Sequence, residues 1–197
     1  MARISLLLVL MAALSVSGCK NDNKPAKTET ATAPAVAPTP KPAPKSDLTD
    51  GQTGSLINML SAYYGLKDAL VASNSTKADE AAAQLLSTAE LLNNDLGSQP
   101  QFNEIHPQLK NIMAGCEAIT GQKNQDIEQD RQHFAAVSDA MFKVLKAANL
   151  KHGGVYQEFC PMAMNDKGAY WLSAESEIKN PYYGKKMLEC GEVRDSL

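Results

Sequence analysis

Residues 51–71, GQTGSLINMLSAYYGLKDALV, place Leu56, Met59, Leu60, Tyr63, Leu66 and Leu70 at i, i+3, i+4, i+7 spacing. That spacing gathers the apolar side chains on one face of a helix and leaves the polar ones on the other. Downstream the period returns three times. Ala78, Ala82, Leu85, Ala89 and Leu92 line a second stripe, behind Thr76 and Asp79, which are spaced like a capping pair. Leu109, Ile112, Met113 and Cys116 form a third, with Pro107 suited to a first turn and Gly121 to a stop. Ile127, Phe134, Val137, Met141, Val144 and Leu145 form a fourth. Asn124 is its expected cap, and Asp126, Glu128 and Asp130 sit where the helix dipole favours negative charge. The expected fold is all-α: an antiparallel four-helix bundle with helices over about 53–72, 76–95, 104–120 and 124–149.

Upstream of the bundle the composition changes twice. Arg3 precedes an apolar run from Ile4 to Val16. As a helix that run spans about 20 Å, short of the roughly 30 Å hydrocarbon core, so it reads as a secretory signal over residues 1–18. The run closes on Val16-Ser17-Gly18-Cys19, which resembles the bacterial lipobox. The resemblance implies lipid attachment at Cys19 and a palmitate-bearing, membrane-anchored lipoprotein of the cell envelope. Lys20 after the Cys points to the outer membrane. Residues 19–50 hold six of the ten prolines among Ala, Thr and Lys. With so little to bury, this stretch reads as a disordered tether.

Whole-chain numbers bound the rest. The chain has 197 residues with formal charge −3, and a net-acidic chain with few basic clusters argues against nucleic acid as a partner. G-x-S-x-G, H-E-x-x-H, the phosphate-cradling Gly-rich loop and C-x-x-C are all absent. A non-enzymatic protein is expected. His106 and His133 lack a second His at i+4, and the Met and aromatic stripes of the helices read as core.

The tail, residues 150–197, differs from the bundle. Tyr156, Phe159, Tyr170, Trp171, Tyr182 and Tyr183 lie here between turn signals such as Gly153-Gly154 and Asn180-Pro181. The expectation is a mostly irregular segment packed on the bundle, with short extended pieces at Val155-Tyr156 and Ala169–Leu172. Cys160, Met162, Met164, Met187 and Cys190 supply two thiols and three thioethers, soft ligands that favour Cu(I)-like ions over Mg²⁺ or Ca²⁺. An extended Cys-Pro-Met-x-Met would align its sulfurs on one side, and Met187 and Cys190 would share a face of a helical turn. His152 is a further candidate on a Gly-containing loop. An oxidising envelope equally allows a plain Cys160–Cys190 disulfide, stabilising by roughly 3–4 kcal/mol in the chain-entropy model.

The ordered signature C-P-M-A at Cys160, G-A-Y-W-L-S at Gly168 and I-x-N-P-Y-Y-G-x-x-M-L-x-C-G at Ile178 resembles a bacterial envelope domain of unknown function. The helix segment Asp126–Met141, with Arg131, His133 and Phe134, is similar to the helix preceding it there. The likeness covers roughly residues 52–195. That domain occurs alone in lipoproteins and attached to adaptor proteins of copper/silver-type heavy-metal efflux systems. The resemblance implies a role in soft-metal handling with such an adaptor as partner, and it supplies no catalytic residue.

Overall fold

The computed structural model describes residues 42–197. The signal segment, Cys19 and the tether as far as residue 41 lie outside the described residues. From Lys45 onward the chain is bonded to the bundle: Lys45 and Lys151 exchange backbone hydrogen bonds of 3.0 and 2.7 Å, and Asp47 N donates to Ala148 O.

Four long helices occur among the described residues, α1 (Asp50–Val71), α2 (Ser75–Leu96), α3 (Ile105–Thr120) and α4 (Ile127–Ala147). Each packs chiefly on its neighbours in sequence. Nearly every residue of the four apolar stripes is buried, and Met113 and Ile127 are half-buried at the margin. Helix starts follow side-chain caps. Thr49 and Gln52 form a reciprocal capping box, which starts α1 three residues earlier than the apolar stripe suggests. Asn74, not Thr76, caps α2 through Lys77 N, and Asp126, not Asn124, caps α4 through Glu128 N. In both cases the better-ranked or better-placed acceptor nearest the first turn wins.

Small residues set the spacing between α3 and α4. A Cβ built on Gly115 would stand 2.4 Å from Val137 Cγ2, so the helices meet closer than any side chain permits. Across the bundle Tyr63 stacks on Phe134 at 5.3 Å, and its hydroxyl bonds Ser138 Oγ at 2.7 Å.

The tail corrects the all-α expectation. Three strands, β1 (Tyr156–Cys160), β2 (Ala169–Ser173) and β3 (Glu192–Ser196), form an antiparallel sheet in the order β2-β1-β3. Five-residue strands are too short to show a period. The partners of β3 lie 33–40 residues earlier in sequence, and β3, four of whose five residues are exposed, shows no apolar alternation. The inner face of the sheet carries Glu158, Cys160, Ala169, Trp171 and Ser173, all buried. Tyr63 joins the two parts, because its hydroxyl also accepts from Leu172 N in β2 at 3.0 Å. No helix among the described residues is long and apolar enough to cross a membrane.

Candidate functional site

Cys160 ends β1 on its inner face, opposite Ala169, and is fully buried. The next residue, Pro161, has no N–H to continue the ladder. The chain then reverses through a tight turn over Ala163–Asp166, where Met164, Asn165 and Asp166 all take positive φ (54°, 56°, 62°). Asn and Asp tolerate this region; Met does so at a cost. Gly168 completes the reversal at φ 77°, and a Cβ there would lie 2.4 Å from the Phe159 ring.

Asn180 returns the other half of the site. It is fully buried; its Oδ1 accepts from Tyr182 N and Tyr183 N, and its Nδ2 donates to Cys190 O at 2.6 Å. Gly191 follows at φ 151°, with no room for a side chain against Trp171, 2.7 Å from a built Cβ. These contacts set the half-buried Cys190 thiol facing the Cys160 thiol, with the Met162 amide pointing at it. Burial pushes the Cys190 thiol up to about 11, and the neighbouring Cys160 thiol adds to the rise. All three cysteines of the described residues are free thiols. Cys116 sits apart in the bundle, where burial holds its thiol up to about 12.

The thioethers depart from the sequence expectation. Because the strand stops at Pro161, Met162 and Met164 do not share a strand face with Cys160. Met162 is 45% exposed. Met164 overlooks a cavity of about 330 Å³, with Arg131, Lys167, Tyr182 and Tyr183 among its walls. Met187 and Cys190 do share one turn, closed by Cys190 N donating to Met187 O at 3.1 Å, but Met187 is not helical (φ −148°). His152 is exposed at φ 58°. Among the described residues no three of His, Cys, Asp and Glu gather as a metal-holding group. Two adjacent thiols remain, a pair able to hold a soft ion between thiolates or to oxidise to a disulfide.

Residues 59–153 match DUF3347, a protein of unknown function. The DUF3347 match runs from Met59 in α1 to Gly153 and ends before β1, so both thiols of the pair lie beyond it. No curated protein and no solved structure matches the chain.

The matched segment nevertheless grips the tail. Arg131 in α4 is only 2% exposed. Its Nε donates to Pro181 O at 2.9 Å, Nη2 to Leu70 O at 3.2 Å and Ser73 Oγ at 2.8 Å, and Nη1 to Glu128 at 2.6 Å. Gly184 lies against this cluster; a Cβ there would come within 3.0 Å of Arg131 Nη2. The second polar residue invisible to sequence reasoning is Glu158. It shares the inner face with Cys160, and neither carboxylate oxygen has a hydrogen-bond partner. Burial pushes its carboxyl up to about 7, against the opposing pull of Trp171, Lys67 and Lys179. Glu158 stands between Gln157 and Phe159, and a strand of five residues gives no local signal of which side chains face inward.

Proposed function

We propose that this protein is a lipid-anchored envelope protein that holds one soft metal ion, Cu(I) or Ag(I), through Cys160 and Cys190. It acts by binding and handing on the ion, not by catalysis, and its partner is a heavy-metal efflux adaptor. One observation carries the reading: two cysteines thirty residues apart in sequence stand thiol to thiol on a shared wall. Soft thiolates select such ions, and two are enough for a low-coordinate site. Met162 and Met187 lie two and three residues from Cys160 and Cys190 in the chain and are the thioethers that would assist the pair. Because ligating thiols must lose their protons, affinity should rise with pH.

Titration of the reduced full chain against a competing Cu(I) chelator tests the proposal. The expected result is uptake of about one Cu(I) per chain, lost in Cys160→Ser and Cys190→Ser. Met162→Leu, Met164→Leu and Met187→Leu should weaken it less. No transfer from the chelator at micromolar protein would end the metal reading. A second reading has its own support in the absence, among the described residues, of a third ionisable ligand beside the pair. In that case the two cysteines are a staple, and removing it costs about 2–5 kcal/mol of stability with no effect of the Met→Leu variants.

A further inference from the structure

The two thiols of the pair are not equivalent. Cys160 is fully buried under the sheet, whereas Cys190 is half-buried on a turn. Access decides which sulfur a bulky reagent meets first. Cys116, enclosed between the helices, is the remaining thiol of the described residues and faces neither.

We infer that Cys190 is a modification site for low-molecular-weight disulfides, and that Cys160 is the buried thiol that resolves the adduct. The inference rests on reading the pair as an open dithiol and does not require that a metal be bound. In the first step the Cys190 thiolate attacks a disulfide R–S–S–R, forms Cys190–S–S–R and releases one thiolate RS⁻. In the second the Cys160 thiolate attacks the Cys190 sulfur, closes the Cys160–Cys190 disulfide and expels the second RS⁻. The two protons of the protein thiols end on two molecules of RSH, and the low-molecular-weight disulfide is the oxidant. Closing the bond removes both soft ligands at once, so the same chemistry switches metal uptake off.

Two measurements on the reduced full chain test this. Limited alkylation of the wild type with iodoacetamide, quenched early and mapped by mass spectrometry, needs no variant. Cys190 should carry the label at least tenfold more often than Cys160, with Cys116 unlabelled. Incubation with oxidised glutathione should convert the wild type to the internal disulfide. Cys160→Ala should accumulate one stable glutathione adduct on Cys190, and Cys190→Ala should form no internal disulfide. Equal labelling of Cys160 and Cys190, labelling of Cys160 first, or a glutathione adduct mapped to Cys116 would overturn the inference. Chelator titration separates the two ideas: ordered labelling without copper uptake defeats only the metal reading, and copper uptake without ordered labelling defeats only this one.

Discussion

Replacing Arg131 by Met removes a buried guanidinium while leaving its acceptors in place. Pro181 O, in a buried residue, loses its donor at 2.9 Å, whereas Leu70 O keeps the Ser73 N–H at 3.0 Å. A buried acceptor left without its donor costs about 1–3 kcal/mol, and the lost second bond to Leu70 O adds about 0.5–1 kcal/mol. The bond to Glu128 adds little, because that carboxylate is 56% exposed and screened. Met fills most of the stem volume and relieves the guanidinium of desolvation, so a net loss of about 2 kcal/mol is expected. For a domain of this size that lowers Tm by about 4–8 °C. Urea unfolding followed by far-ultraviolet circular dichroism measures it, with an unchanged m-value certifying that the same surface is exposed. Arg131→Lys should recover less than half, since one ammonium cannot serve Pro181 and Leu70 together. A loss under about 1 kcal/mol for Arg131→Met would refute the idea that this residue clasps the tail to the bundle.

Gly115→Ala should gain about 1 kcal/mol in helix propensity and lose about 1–3 kcal/mol to overlap with Val137, for a net loss near 1 kcal/mol. Adding Val137→Ala should erase the coupling in a double-mutant cycle, and a stabilised single variant would count against the close contact. Asp130, with its carboxyl pushed up to about 6 by burial and then by Asp79 and Asp126, binds its proton more tightly folded than unfolded. Its stability contribution is therefore full below about pH 4 and lost as pH rises through about 6, amounting to about 3 kcal/mol. Asp130→Asn should flatten that part of the profile and exceed the wild type at pH 8; urea midpoints from pH 4 to 8 that run parallel for both proteins would exclude it. Gly168→Ala, which sets a Cβ 2.4 Å from the Phe159 ring at φ 77°, should cost about 2 kcal/mol or more in the same assay.

The bundle was legible because its signal is local. Leu56 to Leu70 or Phe134 to Leu145 reveal a helical face within a few turns, whatever lies across from them. Caps were legible to within two residues, since Asn74 and Thr76, or Asn124 and Asp126, compete over a single turn. The sheet was legible in part: the extended pieces expected at Val155-Tyr156 and Ala169–Leu172 fall at the start of β1 and within β2, whereas Glu192–Ser196 becomes a strand only by pairing with residues some thirty-five positions earlier. Cysteines are few, so Cys160 and Cys190 stood out as partners. The methionines did not follow them, because the extended reading ran through Pro161, where the ladder stops. Arg131 was hidden for a related reason, since a charge in a polar stretch looks solvated until the tail covers it; Glu158 was hidden because a five-residue strand does not show which of its faces is the inner one.

The division between a bundle of neighbouring contacts and a sheet of distant ones sets a timetable for the chain. Helices α1 to α4 can dock in succession, each on the one just made, at small loop-closure cost. The sheet must wait for β3, and Arg131 meets Pro181 only after the tail has travelled back. Cys116 is thereby enclosed by α3 and α4 before Cys160 and Cys190 can meet. In an oxidising compartment, an early thiol left open would offer a wrong partner to both. Among the thiols of the described residues, sealing it first leaves the late pair with only each other, so the order of assembly, more than any energy of the finished fold, selects the partner. Pulse alkylation during refolding should accordingly find Cys116 protected while Cys160 still reacts, and simultaneous protection of the two would show that no such timetable operates.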